Sequence, residues 1–512
     1  MNPAPFHLRD RGLRIWLLGA ALLIPGCSDH RQNQRTSEPT TGSPAGRNHS
    51  AGGTTSPDHP VHKRHVILMI ADGWGYKQIE AAKSYSGEAP PYEPFESVAM
   101  TTGSTDTMAA LGGDLYDPQR FWSEFLYAKI APTDSASSAT AMYTGEKTKN
   151  RLLSVGPNGE RLVSIGELAL ARGMGSGAVS SVPVTHATPA AWVAHNLDRG
   201  NYHVILDEAL FGDPGATTNG AGGYGPTSPL THVVVGGGNP QTNNGYCSIG
   251  QVDKAVYEND NPGGWTVALR DEGAPTGDSE LQLLAQDYGT GRLLGLFGGP
   301  GGNINFRLHD GSGADPRDAT LTEMATAALH VLERQPLGFV MMIEGGAVDW
   351  AGHLNDLSRN VGEMIGFNEA VAEVIRWIED QTNDSNWDNT LLIVTGDHET
   401  GYLTAGPGVL PDVPLGVVTH SRILAEKQAI GGKRASWDDV NSDSVIDPGE
   451  TVYWSWNTGG HTNSLIPCFF KGLGSETLED AAIRNDPVRG EYMDNTEIFR
   501  AMLAVVESGR SR

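Results

Sequence analysis

Three short stretches of the chain place carboxylates and imidazoles at intervals that suit metal chemistry. In Glu344-Gly-Gly-Ala-Val-Asp349-Trp-Ala-Gly-His353, the Asp and the His stand four residues apart. That spacing puts two ligands on one face of a helical turn. Asp397 and His398 are adjacent, just after the apolar run Leu391–Thr395. His461 follows later, in Thr-Gly-Gly-His461-Thr. A further carboxylate, Asp72, stands in Ala-Asp72-Gly-Trp-Gly, directly behind Val66-Ile-Leu-Met-Ile70. Each has an ordinary reading when taken singly. Asp-Gly is a turn dipeptide, and a lone His is more often packed than metal-bound. Their joint occurrence is the signal. Three Asp, one Glu and three His suit a borderline cation such as zinc, and the oxygen-rich part suits magnesium.

Ser135 could meet such a site. It lies in Thr133-Asp134-Ser135-Ala-Ser-Ser-Ala-Thr-Ala, where Thr133 or Asp134 can cap a helix that starts at the serine. Backbone N–H groups point outward there, which favours an anion. The ordinary reading is a plain capping segment.

The elements that must position these groups are legible from periodicity. Val66–Ile70 reads as a strand buried on both faces, and so do 177–182, 232–236, 338–343 and 390–395. Helical periodicity with caps occurs at 164–172, 320–334, 358–380 and 495–507. Strand and helix alternate in the last third. The expected fold is α/β, a doubly wound and mostly parallel sheet with helices on both faces. In such sheets, sites lie outside the carboxyl ends of the strands. Residues 213–230 and 259–318 are rich in Gly, Asp and Pro and read as long connecting loops or small insertions.

The formal net charge of −25 argues against nucleic acid as a partner, which needs a basic footprint. Three cysteines, Cys27, Cys247 and Cys468, make no disulfide framework and no Cys-x-x-Cys zinc motif. Cys468 sits in an apolar run and reads as a buried thiol. Residues 1–27 read as an export signal, with Arg9, Arg11 and Arg14 before a short apolar core. Ile24-Pro25-Gly26-Cys27 resembles a lipoprotein cleavage box, which would put a lipid anchor on Cys27; the alternative is ordinary secretion. Residues 28–63 hold almost no apolar side chains and read as a disordered tether, with the folded body at 64–512. The expected location is therefore periplasmic or at the cell surface.

Taken in order, these pieces resemble an alkaline phosphatase. The likeness rests on Asp-Gly-x-Gly at 72–75, Asp-Ser-Ala at 134–136, Thr-Pro-Ala at 188–190 with Arg199 beyond, Glu344 with Asp349 and His353, Asp397-His398, and His461. The resemblance implies hydrolysis of phosphate monoesters through a phosphoserine on Ser135, with an alkaline optimum. It implies two zinc ions and one magnesium. Asp349, His353 and His461 would hold the first zinc. Asp72, Asp397 and His398 would hold the second, with the Ser135 oxygen. Asp72, Thr188 and Glu344 would hold the magnesium. Arg199 would clamp phosphate oxygens as a fork, oriented by Asp134. Two positions depart from the best-studied bacterial pattern. His186 stands where that pattern has an Asp near the third metal, and joins that ligand set. Trp350 stands beside the phosphate where it has a Lys. Imidazole suits zinc better than magnesium, and loss of the Lys removes a positive charge. A homodimer is implied by analogy alone.

An insertion at 402–458, which in this family builds a crown over the entrance, carries a second metal signal. Asp439, Asn441, Asp443, Asp447 and Glu450 occupy positions 1, 3, 5, 9 and 12 of a twelve-residue calcium loop. Ser444 replaces the usual Gly at position 6. The ordinary reading is a solvated acidic loop. Two other functions compete: a phosphodiesterase or sulfatase of the same superfamily, and a tethered, non-catalytic phosphate- or metal-binding protein. A sulfatase needs Cys/Ser-x-Pro-x-Arg, and Ser135 is followed by Ala-Ser-Ser.

Overall fold

The computed structural model describes residues 62–508, apart from 213–230, 243, 258–263, 272, 274–280, 282–290, 406–434, 438–439 and 443–447. The expected export signal with Cys27, almost all of the tether, and Asp439, Asp443 and Asp447 lie outside the described residues.

The run at 66–70 forms the middle of the sheet. Its strand, β1 (Arg64–Ala71), is buried from His65 onward. Both of its faces are covered, so the sequence has no polar alternation to show. The others follow as β2 (Glu96–Thr101), β3 (Gly175–Pro183), β4 (Val233–Gly237), β5 (Trp265–Leu269), β6 (Arg292–Leu296), β7 (Gly338–Gly345) and β8 (Thr390–Thr395). After them come β9 (Glu399–Thr400), β10 (Leu403–Ala405), β11 (Ala435–Trp437), β12 (Val452–Trp456), β13 (His461–Thr462), β14 (Ile466–Gly472), β15 (Arg484–Asp486) and β16 (Gly490–Asp494). Eleven of them form one sheet in the order β15-β16-β2-β14-β8-β1-β7-β3-β4-β6-β5. Only β14 and β15 run against the others. The fold is α/β with a mostly parallel central sheet.

Register decides where the chemistry emerges. Ile70 lies opposite Glu344 on one side and Thr395 on the other, and Ser180 lies opposite Glu344. Asp72, Glu344 and Asp397 therefore leave the sheet at one edge, the carboxyl ends of adjacent parallel strands. Helices Leu321–Leu332, Leu357–Glu379 and Tyr76–Ser86 pack as one group, and Ser135–Thr144, Ala187–Val193 and Thr496–Glu507 as another.

The loop reading of 259–318 needs correcting. It contains β5 and β6, which extend the sheet at its edge. Each is five residues long, and Gly295 interrupts the apolar run of β6. A Cβ at Gly295 would stand 2.9 Å from the Phe297 ring and from Val235, so the glycine is a packing requirement inside a strand.

Residues 402–458 are described mainly at their two ends. Within 402–458, β10, β12 and β11 form a small sheet. Trp454, Trp456 and Leu403 bury against Ala81, Leu357 and Val361, which fixes this small sheet to the helices Tyr76–Ser86 and Leu357–Glu379. Cys247 and Cys468 are buried, and burial pushes their thiols up to about 11 and about 12. Among the described residues, no helix is long and apolar enough to cross a membrane.

Candidate active site

Ser135 opens the helix Ser135–Thr144, and Asp134 is its cap, accepting from the Ser137 N–H at 3.0 Å. The same carboxylate accepts from Arg199 Nη1 at 2.9 Å and from the Arg151 N–H at 3.1 Å. Burial opposes ionisation of Asp134, but the Arg199 charge and these donors win and hold its carboxyl below the usual range. One aspartate thus ends the helix and aims the guanidinium across its N-terminus.

The Ser135 Oγ lies 3.1 Å from His398 Nε2. His398 Nε2 is in turn 3.5 Å from Asp72 Oδ1 and 3.2 Å from Asp397 Oδ2. Close approach of the chain makes this possible. Gly73, with φ +77°, donates its N–H to Asp397 Oδ1 at 3.1 Å. A Cβ on Gly73 would stand 2.6 Å from the Asp349 backbone, so no other residue fits.

Asp349 and His353 ride on one helix, Ala347–Leu354. His353 Nε2 is 3.4 Å from Asp349 Oδ2, and His461 Nε2 is 3.5 Å from Asp349 Oδ1. Each imidazole pairs its other nitrogen with a carbonyl, His353 with Gly459 and His461 with Thr133, both at 2.8 Å. That leaves each Nε2 directed at the carboxylate. The His461 ring stacks on His398 with centroids 3.6 Å apart. Two groups result whose ligand atoms converge, Asp349-His353-His461 and Asp72-Asp349-His398.

A third region adjoins Asp72. Thr188 Oγ1 donates to Asp72 Oδ2 at 3.4 Å, and Ser180 Oγ donates to Glu344 Oε2. His186 sits just before helix Ala187–Val193, its ring 5.5 Å from that of Trp350 at 81°. Burial, then the Arg199 charge, pushes the His186 imidazole down to about 3, so it is neutral with a free lone pair.

The donor set fits cations. Asp72 Oδ1, Asp397 Oδ2, Glu344 Oε1 and His186 Nδ1 are buried without a hydrogen-bond partner. Each such atom costs about 1–3 kcal/mol unless something satisfies it. Burial raises the Asp72 carboxyl well above its ordinary range, and Asp397, Asp349 and Glu344 add to the effect.

The sequence pattern did not point to Ser180 or Thr400. Thr400 Oγ1 donates to Asp349 Oδ1 at 2.5 Å. Ser180 lies inside β3 and Thr400 inside β9, where nothing in the local pattern separates them from ordinary polar strand residues.

The alkaline phosphatase family model matches residues 63–504. Alkaline phosphatase 3 of Bacillus subtilis is 25% identical over 484 residues, covering 87% of this chain and 89% of that one. Streptomycin-6-phosphate phosphatase of Streptomyces griseus is 29% identical over 68% of this chain and 76% of its own. Among solved structures, a cold-active alkaline phosphatase from a psychrophilic Shewanella is similar at a TM-score of 0.59 and 25% identity, covering 86% of this chain and 99% of that one. The chain belongs to the alkaline phosphatase family and is an enzyme of that family.

Proposed function

We propose that the protein hydrolyses phosphate monoesters through a phosphoserine on Ser135, releasing an alcohol and inorganic phosphate with an alkaline optimum. The observation that carries this reading is the Ser135 hydroxyl. It sits at a capped helix N-terminus, 3.1 Å from His398, next to the cap residue Asp134, which also holds Arg199. Asp349, His353 and His461 would hold one zinc, and Asp72, Asp397 and His398 with the Ser135 oxygen a second. Asp72, Thr188 and Glu344 would hold magnesium, with His186 beside it. When bound, such metals neutralise phosphoryl charge, lower the pKa of an oxygen nucleophile and stabilise the leaving oxygen.

The chain's own residues supply the rest. Ser135 Oγ bonds to phosphorus as the P–O bond to the alcohol breaks, and the proton the serine gives up ends on the departing alcohol oxygen. Water then attacks phosphorus from the opposite side as the P–Oγ bond breaks; one of its protons restores the serine hydroxyl and its oxygen leaves in the phosphate. Arg199 holds two phosphoryl oxygens as a fork while Asp134 fixes its plane. The alcohol is not gripped, so phosphomonoesters as a class are the substrates. Ser135→Ala should lose at least about 10³-fold in kcat and form no acid-stable phosphoprotein with p-nitrophenyl phosphate. A variant that still traps covalent phosphate overturns the assignment. A faster rate on the bis ester, or activity indifferent to a chelator, would redirect it to a diesterase or away from metals.

Export with a lipid anchor on Cys27 belongs to the same proposal and is read by mass spectrometry of the mature N-terminus. So does the calcium loop at 439–450. Of its ligands, Asn441 and Glu450 are described, and a Glu450 carboxylate oxygen accepts from the Val440 N–H at 2.9 Å. This folds the twelfth position back on the second. Calcium added to chelated, zinc-replenished protein should raise its melting temperature by a few degrees. An unshifted melt rules the loop out.

A further inference from the structure

We propose that Ser138 and Asn495 are positioning residues that lock the Asp397-His398 loop onto the nucleophile helix. The inference rests on the metal reading of that loop. Ser138 lies one turn after Ser135 and is fully buried, as is Asn495. Ser138 Oγ donates to the Asp397 carbonyl oxygen at 2.6 Å. Asn495 Nδ2 donates to Ser138 Oγ at 2.9 Å, and Lys147 Nζ donates to Asn495 Oδ1 at 2.6 Å. Lys147 also pairs with Asp494 at 3.0 Å, and both side chains are nearly buried.

The donor inventory fixes the direction of this chain. A lysine only donates, so the Asn495 oxygen must face it. The Asn495 amide nitrogen must then face Ser138 and donate. The Ser138 oxygen accepts that proton, and its own single proton is committed to the Asp397 carbonyl. Every hydrogen bond runs from the Lys147 charge toward the ligand loop, and bonds in such a series strengthen one another. At its end, the peptide after Asp397 is held by its carbonyl, while the His398 N–H donates to Asp397 Oδ1 at 2.9 Å. Helix and loop are 259 residues apart in the chain at this contact. The hydroxyl therefore sets the Ser135–His398 distance by tying the loop to the same helix one turn further on. Among the described residues its hydrogen bonds go to Asp397 and Asn495 and not to Asp349, His353 or His461.

The test is zinc release from purified holoenzyme into a chromogenic chelator, with the phases assigned by His353→Ala, which should hasten only the first-cluster phase. Ser138→Ala should weaken zinc retention about 10- to 100-fold in the other phase alone. Asn495→Asp keeps the size and the lysine contact but turns a donor into an acceptor. It competes for the Ser138 proton and should reproduce the Ser138→Ala phase. Thr144→Ala is the control. Its hydroxyl donates to Thr140 within the same helix, at 2.7 Å, so it should lower stability without choosing between phases. The proposal is overturned if Ser138→Ala and Asn495→Asp leave both phases at the wild-type rate, or hasten both together. Wild-type protein that retains no zinc would overturn the metal reading itself, a distinct result.

Discussion

The two ligand clusters touch through stacked imidazoles, yet they handle charge in opposite ways. In Asp349-His353-His461, one carboxylate faces two imidazoles. Burial opposes ionisation of Asp349, but hydrogen bonds from His353 and His461 outweigh it and hold the carboxyl well below its ordinary range. Burial likewise opposes the charge on His353, but Asp349 wins and lifts it to about 9. The His353 side chain is 40% exposed, so water helps. Around Asp72, Asp397 and Glu344, the balance reverses. All three are buried, and burial pushes Asp397 up to about 6 and Glu344 up to about 7. The one imidazole among them, His398, is pushed well down by burial and then by the His461 charge. Protons can neutralise the first cluster. The second can be neutralised while ionised only by something of higher charge, which is what a divalent metal is.

The largest expected effect tests this difference directly. Asp72→Ala removes the carboxylate that faces both His398 and Thr188. Its kcat/KM should fall at least ~10³-fold, about 4 kcal/mol, and added zinc should not restore it. His353→Ala cuts into the more open cluster. Activity there should return to within ~10-fold of wild type as zinc is raised, since one lost ligand mainly weakens affinity. Steady-state rates across a zinc titration decide. Equal rescue of both variants would erase the distinction.

How much of this was legible beforehand follows the same divide between local and distant information. β1, β7 and β8 were legible because each holds a continuous apolar run, and the ligands because they stand next to strand ends. β5 and β6 were not, because each is only five residues long and sits among Gly-, Asp- and Pro-rich residues, with Gly295 interrupting β6. Thr400 and Ser180 share their patterns with ordinary polar residues. The partners of Ser138 are set by register with residues up to 357 positions away, which no local pattern carries. His186 and Trp350 stood out only against a family pattern. Their mutual packing, and that of Trp350 with Phe306 at 6.3 Å, belongs to the structure.

Trp350 gives the middle-sized test. It follows Asp349 on the same helix and occupies the flank of the third region with an apolar ring. Positive charge on that flank comes from Arg199, whose nearness already helps hold His186 neutral. Trp350→Lys adds a second cation there. Inhibition by inorganic phosphate should tighten about 10-fold, worth about 1.4 kcal/mol, with kcat falling as product release slows. An unchanged inhibition constant would show that this flank does not govern phosphate retention.

The smallest effect extends the comparison to a buried histidine on which the carboxylate of Asp384 acts too weakly to offset burial. His65 lies at the far end of β1, 1% exposed, against Phe339 and Trp377 with ring centroids at 4.6 and 5.3 Å. Burial pushes its imidazole from 6.5 down to about 3, with a further push from Lys63. The unfolded chain therefore binds a proton below pH 6.5 that the folded chain refuses. Stability is whole above pH 6.5 and falls as pH falls toward 3. His65→Phe keeps a ring in place and removes the titration. Between pH 7.5 and 5.5, the wild type should lose about 1.4 kcal/mol more than the variant in urea unfolding of the zinc-loaded protein. Superimposable pH profiles would mean that His65 reaches water in the folded state. His353 moves the other way because Asp349 is hydrogen-bonded to it and its side chain is partly open to water, whereas His398, fully buried with carboxylates close by, moves down as His65 does; it takes the carboxylate together with that opening for an imidazole here to carry charge.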